Sequence, residues 1–162
     1  MGKSASVTTC RTVVEVSFWG VRGSIPTSGA ATVRYGGHTS CVCVRAPDGP
    51  PLVFDMGTGA RLLGKAIRAE GVDKVYVAMT HTHMDHMMGL PYFDPIFDPK
   101  CRVHLGLPAD SSEEARARVG KYLNGIFHPL SLEDLGTNLT FYGVPAGETV
   151  QVGPYTLSSI RL

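Results

Sequence analysis

The segment "DKVYVAMTHTHMDHMMGL", residues 73–90, constrains the fold more than any other stretch of the chain. Its first part, "DKVYVAMT", is apolar at successive positions rather than alternate ones, which suits a strand covered on both faces. Its second part places three histidines and an aspartate within six positions, directly where that strand ends. A fold that accepts this sequence needs a central sheet with layers on either side and an opening at the strand's C-terminal edge, where α/β proteins place their sites.

The rest of the chain supplies the elements around that strand. "TVVEVSFWG" is β-branched and aromatic enough for a strand, and the Gly- and Pro-containing "VRGSIPTSG" ends it as a loop. "SCVCVRA" and "LVFDM" flank the turn "PDGPP", which is a hairpin pattern. From Thr58 the period changes: Leu62, Leu63, Ala66 and Ile67 recur at helical spacing, with Gly71 at the expected stop. "CRVHLGL" reads as a further strand. Ser111 and Glu114 form a capping-box pattern for a helix that Gly125 closes. "LTFYGV" and "ETVQVGPYTLSSIRL" alternate as strands, the latter folded at Gly153-Pro154. With 19 glycines and 11 prolines in 162 residues, many turns and short strands are expected. No stretch is rich enough in linker residues to divide the chain, so we expect a tail over 1–12 and one domain portion over 13–162.

Charge and length exclude several partner classes. A formal net charge of +1 gives no broad field for a polyanion. No basic stripe or aromatic platform marks a nucleic-acid surface, although nucleic acid stays open as a substrate. No apolar run reaches the roughly 18 residues that span a bilayer, and the opening "MGKSASVTTCR" lacks a secretory apolar core, so a cytoplasmic location is expected. The cysteines Cys10, Cys41, Cys43 and Cys101 read as reduced, buried thiols.

The histidine cluster is a set of metal donors. Residues two apart on extended backbone point the same way, so His81 and His83 can converge on one ion, and Asp85 and His86, where the chain turns, can face a second. Imidazole-rich ligation favours zinc, with iron, nickel or copper as alternatives, over magnesium or calcium. Arg22, in the "VRGS" loop, is a candidate for substrate phosphate because a guanidinium matches phosphate geometry; a loop-solvating role is the alternative.

These residues also carry a resemblance. "THTHMDH" contains the H-x-H-x-D-H motif of the metallo-β-lactamase superfamily. "FWGVRGSIPT", "VRYGGHTSC", "FDMGTG" and "DHMMGLPYF" follow the order of its phosphodiesterase and tRNase Z-like branch. From about Val16 onward the chain resembles that branch. The resemblance implies an α/β fold, the αββα sandwich, of which this chain resembles the N-terminal half: a mixed β-sheet with flanking helices. It also implies two metal ions at one edge, with His81 and His83 on the first and Asp85, which is also the catalytic residue, and His86 on the second. Zinc is favoured for both, with Mn2+ or Fe2+ as alternatives. Asp55, in "FDMGTG", resembles the carboxylate that orients a ligating histidine, though a turn role fits it nearly as well.

The implied activity is hydrolysis of a small phosphodiester or cyclic nucleotide through a metal-bound hydroxide. Diiron redox relatives tend to carry glutamate at the position of His83, so hydrolysis is the reading preferred. His38 stands where relatives commonly carry asparagine and is a candidate for contact with substrate, with a turn role as the reading preferred. His104 and His128 read as structural. Two ions need more than four side chains, and relatives supply a further histidine, an aspartate and a final histidine from their second half. We therefore expect the N-terminal half of a longer enzyme. The alternative is a truncated or split non-catalytic domain for metal binding or assembly, whose uncovered apolar sheet face would favour a homodimer or chain exchange.

Overall fold

The computed structural model describes residues 13–126, 128–136 and 138–160; the expected tail over 1–12, and Cys10 with it, lies outside the described residues. The sheet is built outward from the strand that precedes the histidine cluster. That strand, β4 (Lys74–Ala78), lies between β3 (Leu52–Phe54) and β5 (Arg102–Leu107), and both run parallel to it. β6 (Leu139–Gly143) adds a further parallel strand outside β5. On the other side β2 (Cys41–Arg45) pairs antiparallel with β3 through the "PDGPP" turn, and β1 (Glu15–Gly20) pairs antiparallel with β2. The result is one mixed six-stranded sheet in the order β1-β2-β3-β4-β5-β6.

Alternation along the strands assigns each face its layer. Val75 and Val77 of β4, Val53 of β3, and Val103, Leu105 and Leu107 of β5 point into the main core. That core is closed by α1 (Ala60–Ala69) through Leu63 and Ile67, by α3 (Ser112–Tyr122) through Ala115 and Val119, and by Phe93, which joins two single-turn helices, and Ile96 of the second. Burying an aliphatic side chain such as Leu63 or Ile67 contributes about 1.5–3 kcal/mol. The end of α1 follows its sequence signal. Gly71 adopts φ +69° directly after the C-cap of α1, the left-handed position that glycine tolerates best, whereas α3 is capped earlier, at Leu123, and Gly125 with φ +76° lies in the turn beyond it.

At the start of α3 the Ser111 hydroxyl accepts from the Glu114 N–H at 3.1 Å, as the capping pattern requires. The Glu114 carboxylate, however, accepts from the Asp110 N–H at 2.8 Å rather than from that of Ser111, so the box is shifted by one residue on its return side. The other carboxylate oxygen of Glu114 pairs with Arg118 at 2.8 Å, so one side chain ties the residue before the cap to the next turn of the helix.

The opposite face carries Leu52, Phe54, Tyr76, Ala78 and Tyr142, packed by a separate hairpin of β7 (Thr149–Val152) and β8 (Tyr155–Ser158) through Val150, Val152, Tyr155 and Leu157. β4 is thus covered on both faces, as its sequence demands. Toward β1 the covering thins: Val14, Val16 and Phe18 are exposed, Phe18 at 69%. Cys41, Cys43 and Cys101 are buried and free; burial pushes the Cys41 thiol up to about 12, so it stays protonated. Among the described residues no helix is long and apolar enough to cross a membrane.

Candidate metal centre

Parallel pairing brings the chemistry to one edge. Phe54 of β3 is in register with Ala78 of β4, so the residues that follow each strand, Asp55 and Thr80, emerge side by side at the C-terminal end of the sheet. The Asp55 N–H still donates to the Ala78 carbonyl at 3.2 Å, after which Asp55 takes φ +63° and turns its carboxylate across the end of β4. After Thr80 the chain runs through His81 and His83 and then enters the short helix α2 (Met84–Met87), which His83 begins in extended conformation. Met87 of that helix is buried in the core, which fixes the helix rotation and turns Asp85 and His86 toward the edge. Met84 is 55% exposed.

Asp55 is the hub of the edge. At 3% exposure its carboxylate accepts from the Thr80 N–H at 2.8 Å, from the Thr80 hydroxyl at 2.9 Å and from the Ser40 hydroxyl at 3.1 Å. Its Oδ2 also lies 2.8 Å from His86 Nδ1. A carboxylate with these donors is an acceptor, so the proton of this last contact belongs to His86 Nδ1. That leaves Nε2 of His86 with its lone pair facing outward. It lies 3.4 Å from Asp85 Oδ2.

Two electron-pair donors opposed at that distance repel unless a proton or a cation lies between them. Two ligands about 2.1 Å from one tetrahedral zinc stand about 3.4 Å apart, so the pair has the spacing that such an ion needs. The other imidazoles gather beside it. The His81 ring is 4.0 Å from that of His86 and 4.6 Å from that of His83, centroid to centroid. Burial, followed by the neighbouring His86 and His83, holds the His81 imidazole below its ordinary pKa, which keeps its lone pair available at neutral pH. In donor chemistry this set fits a zinc-type divalent ion. In number it is partial: among the described residues no group of three or more His, Cys, Asp or Glu side chains is placed to hold an ion.

The loop after β1 closes over the same edge. The Val21 and Arg22 N–H groups donate to the His38 carbonyl at 3.0 and 2.9 Å, and Thr27 N–H donates to Gly37. Ser24, at φ +68°, donates its N–H to Asp85 Oδ2 at 2.8 Å. That bond is the main cause holding the Asp85 carboxyl below its ordinary pKa. The exposed Arg22 is therefore two residues from a direct contact with the donor set. His38 turns elsewhere: its Nδ1 lies 3.2 Å from the Thr58 hydroxyl, and Thr39 and Thr58 exchange N–H-to-hydroxyl bonds at 2.9 and 2.8 Å. His104 stacks on Tyr76 at 4.6 Å on the hairpin face of the sheet, and His128 meets Tyr92.

The structure thus brings His81, His83, Asp85, His86 and Asp55 together. It places Arg22 on the adjoining loop, and holds His38 against Thr58. Sequence reasoning passed over Thr80, Ser40 and Ser24. Thr80 had a usable signal, a hydroxyl at the last step of the strand before the donors. Ser24 acts through its backbone, which no side-chain pattern announces.

The chain is thus an α/β protein with a mixed sheet, whose C-terminal edge gathers clustered imidazoles in front of a buried aspartate. The chain belongs to the metallo-beta-lactamase superfamily, whose family model matches residues 34–158. The fold is similar to that of the metallo-beta-lactamase fold protein YhfI from Bacillus subtilis, with a TM-score of 0.57 and 17% identity over 90% of this chain and 52% of that one. It is also similar to a diphosphatase from the PhnP family, with a TM-score of 0.51 and 19% identity over 86% of this chain and 54% of that one. An uncharacterized protein of Mycobacterium leprae (strain TN) is 44% identical over 48 residues, 30% of this chain and 16% of that protein. The chain thus spans about half the length of the two solved structures it resembles.

Proposed function

We propose that this chain forms the first part of the metal site of a hydrolase that cleaves a small phosphodiester or cyclic nucleotide. The observation that carries the reading is the relay from Asp55 through His86 to Asp85: the buried carboxylate fixes the proton on Nδ1 at 2.8 Å and presents Nε2 at 3.4 Å from a second carboxylate. Metal-ligating histidines are commonly oriented in this way. Superfamily membership supports the reading, as does the structural neighbour named as a diphosphatase.

His81 and His83 would hold one ion, and Asp85 and His86 a second, with zinc favoured by the imidazole content and Mn2+ or Fe2+ as the alternatives. A divalent ion bound there supplies Lewis acidity toward a phosphoryl oxygen and lowers the pKa of water toward about 7. The chain's own residues do the positioning. Asp55 keeps the His86 proton on Nδ1, the Ser24 N–H holds Asp85, and Arg22 offers a planar donor pair to the non-bridging oxygens of the ester. Each ion normally takes at least three protein ligands, so donors beyond these four complete the centre.

Turnover of bis(p-nitrophenyl) phosphate by the complete polypeptide should require added Zn2+ and stop with chelator. Arg22→Ala should raise KM for that ester by about tenfold or more, the loss of a charge-assisted hydrogen bond, with bound zinc unchanged. Equal KM in the variant removes Arg22 from the site, and no metal-dependent turnover in the wild type removes the phosphodiesterase reading.

A further inference from the structure

Three non-glycine residues among those described have positive φ: Ser24, Asp48 and Asp55. Asp48 sits in the turn between β2 and β3, where aspartate is at home. The other two lie on either side of the candidate metal centre. Each uses its left-handed conformation to make one bond to a donor: Asp55 to His86 Nδ1 and Ser24 to Asp85 Oδ2, both at 2.8 Å. For Asp55 the purpose is plain from the four donors around it. Ser24 is the centre of a γ-turn, closed by the Ile25 N–H on the Gly23 carbonyl at 3.0 Å, a rare and strained turn whose N–H is aimed at Asp85. Serine is an uncommon residue in this region of backbone space, and strained backbone at a site is a pointer to function when it is observed rather than assumed.

We propose that the backbone N–H of Ser24 is a positioning group for the metal centre: it fixes the Asp85 carboxylate in the ion-accepting orientation and couples the loop that carries Arg22 to metal loading. The proposal rests on the metal reading given above and goes beyond it, because it assigns the loop a role in ion affinity as well as in substrate binding. The contact joins residues 61 positions apart in sequence, and the loop is tied back to the His38 carbonyl by Val21 and Arg22 and to Gly37 by Thr27. A displacement at Ser24 is therefore shared by Arg22. By linkage, if the Ser24–Asp85 bond raises ion affinity, a bound ion stabilises that bond, and the loop position it fixes, by the same factor.

The side chain of residue 24 controls this bond only through the backbone, which gives a clean pair of variants. Ser24→Gly keeps the N–H and adopts positive φ without penalty, whereas Ser24→Val disfavours it. Zn2+ affinity of the complete polypeptide is measured by competition with a chromogenic chelator, beside the visible spectrum of the Co2+-loaded protein. Ser24→Gly is expected to match wild type within about twofold. Ser24→Val is expected to bind about tenfold more weakly, the lower end for loss of a group that orients a ligand, with an altered Co2+ band. Equal affinities and spectra for both folded variants overturn the proposal. If Ser24→Val does not fold, hydrogen exchange of residues 22–27 in the wild type decides: slowing on Zn2+ addition supports coupling, and no change overturns it. A wild type that binds neither ion overturns the metal reading itself, a result distinguishable from both, and the proposal falls with it.

Discussion

Replacing Asp55 by alanine lowers stability by on the order of 3 kcal/mol and weakens divalent-metal affinity by about 10- to 100-fold. The two effects have one origin. The carboxylate receives the Thr80 N–H, the Thr80 and Ser40 hydroxyls and His86 Nδ1, and is 3% exposed. Alanine leaves these donors facing a space with no acceptor, and it also sits poorly at φ +63°. For a domain of this size the melting temperature should fall by about 10 °C. Asparagine tolerates the same backbone and its side-chain carbonyl still accepts from Thr80, so Asp55→Asn should fall between wild type and alanine on both scales. Thermal melts and Zn2+ titrations of the two variants check this; an alanine variant that melts and binds like wild type contradicts the role given to Asp55.

The second large effect tests the junction that brings Asp55 and His86 together. Gly89, just after α2, has an ordinary right-handed backbone, φ −86° and ψ −14°, so its identity is not dictated by dihedral angles. Space dictates it: a Cβ there would stand 1.9 Å from the Gly57 carbonyl oxygen and 2.9 Å from that of Met56, to which the Gly89 N–H also donates at 2.8 Å. Both obstacles are backbone and cannot swing aside. Gly89→Ala must push α2 away from the turn that follows β3, at a cost of about 3 kcal/mol, the upper part of the usual range for overpacking. Metal affinity should drop with it. Gly71→Ala is the control: its φ is +69° but a Cβ meets nothing within 4 Å, so only the left-handed penalty of about 1 kcal/mol applies. Chemical denaturation of the pair checks the order; Gly89→Ala as stable as Gly71→Ala contradicts the close backbone packing.

The contrast between Gly89 and Gly71 shows what the sequence could and could not convey. Gly71 was legible as a helix stop because its signal is local: the periodic apolar residues of α1 end there. Gly89 was read only as part of "DHMMGLPYF", since its neighbour in space, Gly57, is far away in sequence. The same division runs through the site. His81, His83, Asp85 and His86 lie within one turn of chain, so their grouping could be read from spacing and strand position. Asp55 carries two readings, turn and support for a ligating histidine; it has φ +63° and its carboxylate lies 2.8 Å from His86 Nδ1, a long-range contact that the local pattern does not contain. Ser24 was hidden because its contribution is an N–H. The strands, the β2–β3 hairpin and helix α1 were legible from local signals, whereas the order β1-β2-β3-β4-β5-β6 rests on pairings between distant segments, and the capping pattern does not say that Glu114 returns to the N–H of Asp110.

The central claim is that the imidazoles and carboxylate leaving β4 hold a divalent ion. Its most direct measurement is Zn2+ binding to the complete polypeptide by chelator competition, with the His81→Ala/His83→Ala double variant and His86→Ala alongside. The wild type should bind zinc and each variant should lose about tenfold or more in affinity, at least the effect of losing a group that only orients a ligand. Zinc binding that is absent from the wild type, or undiminished in both folded variants, contradicts the account.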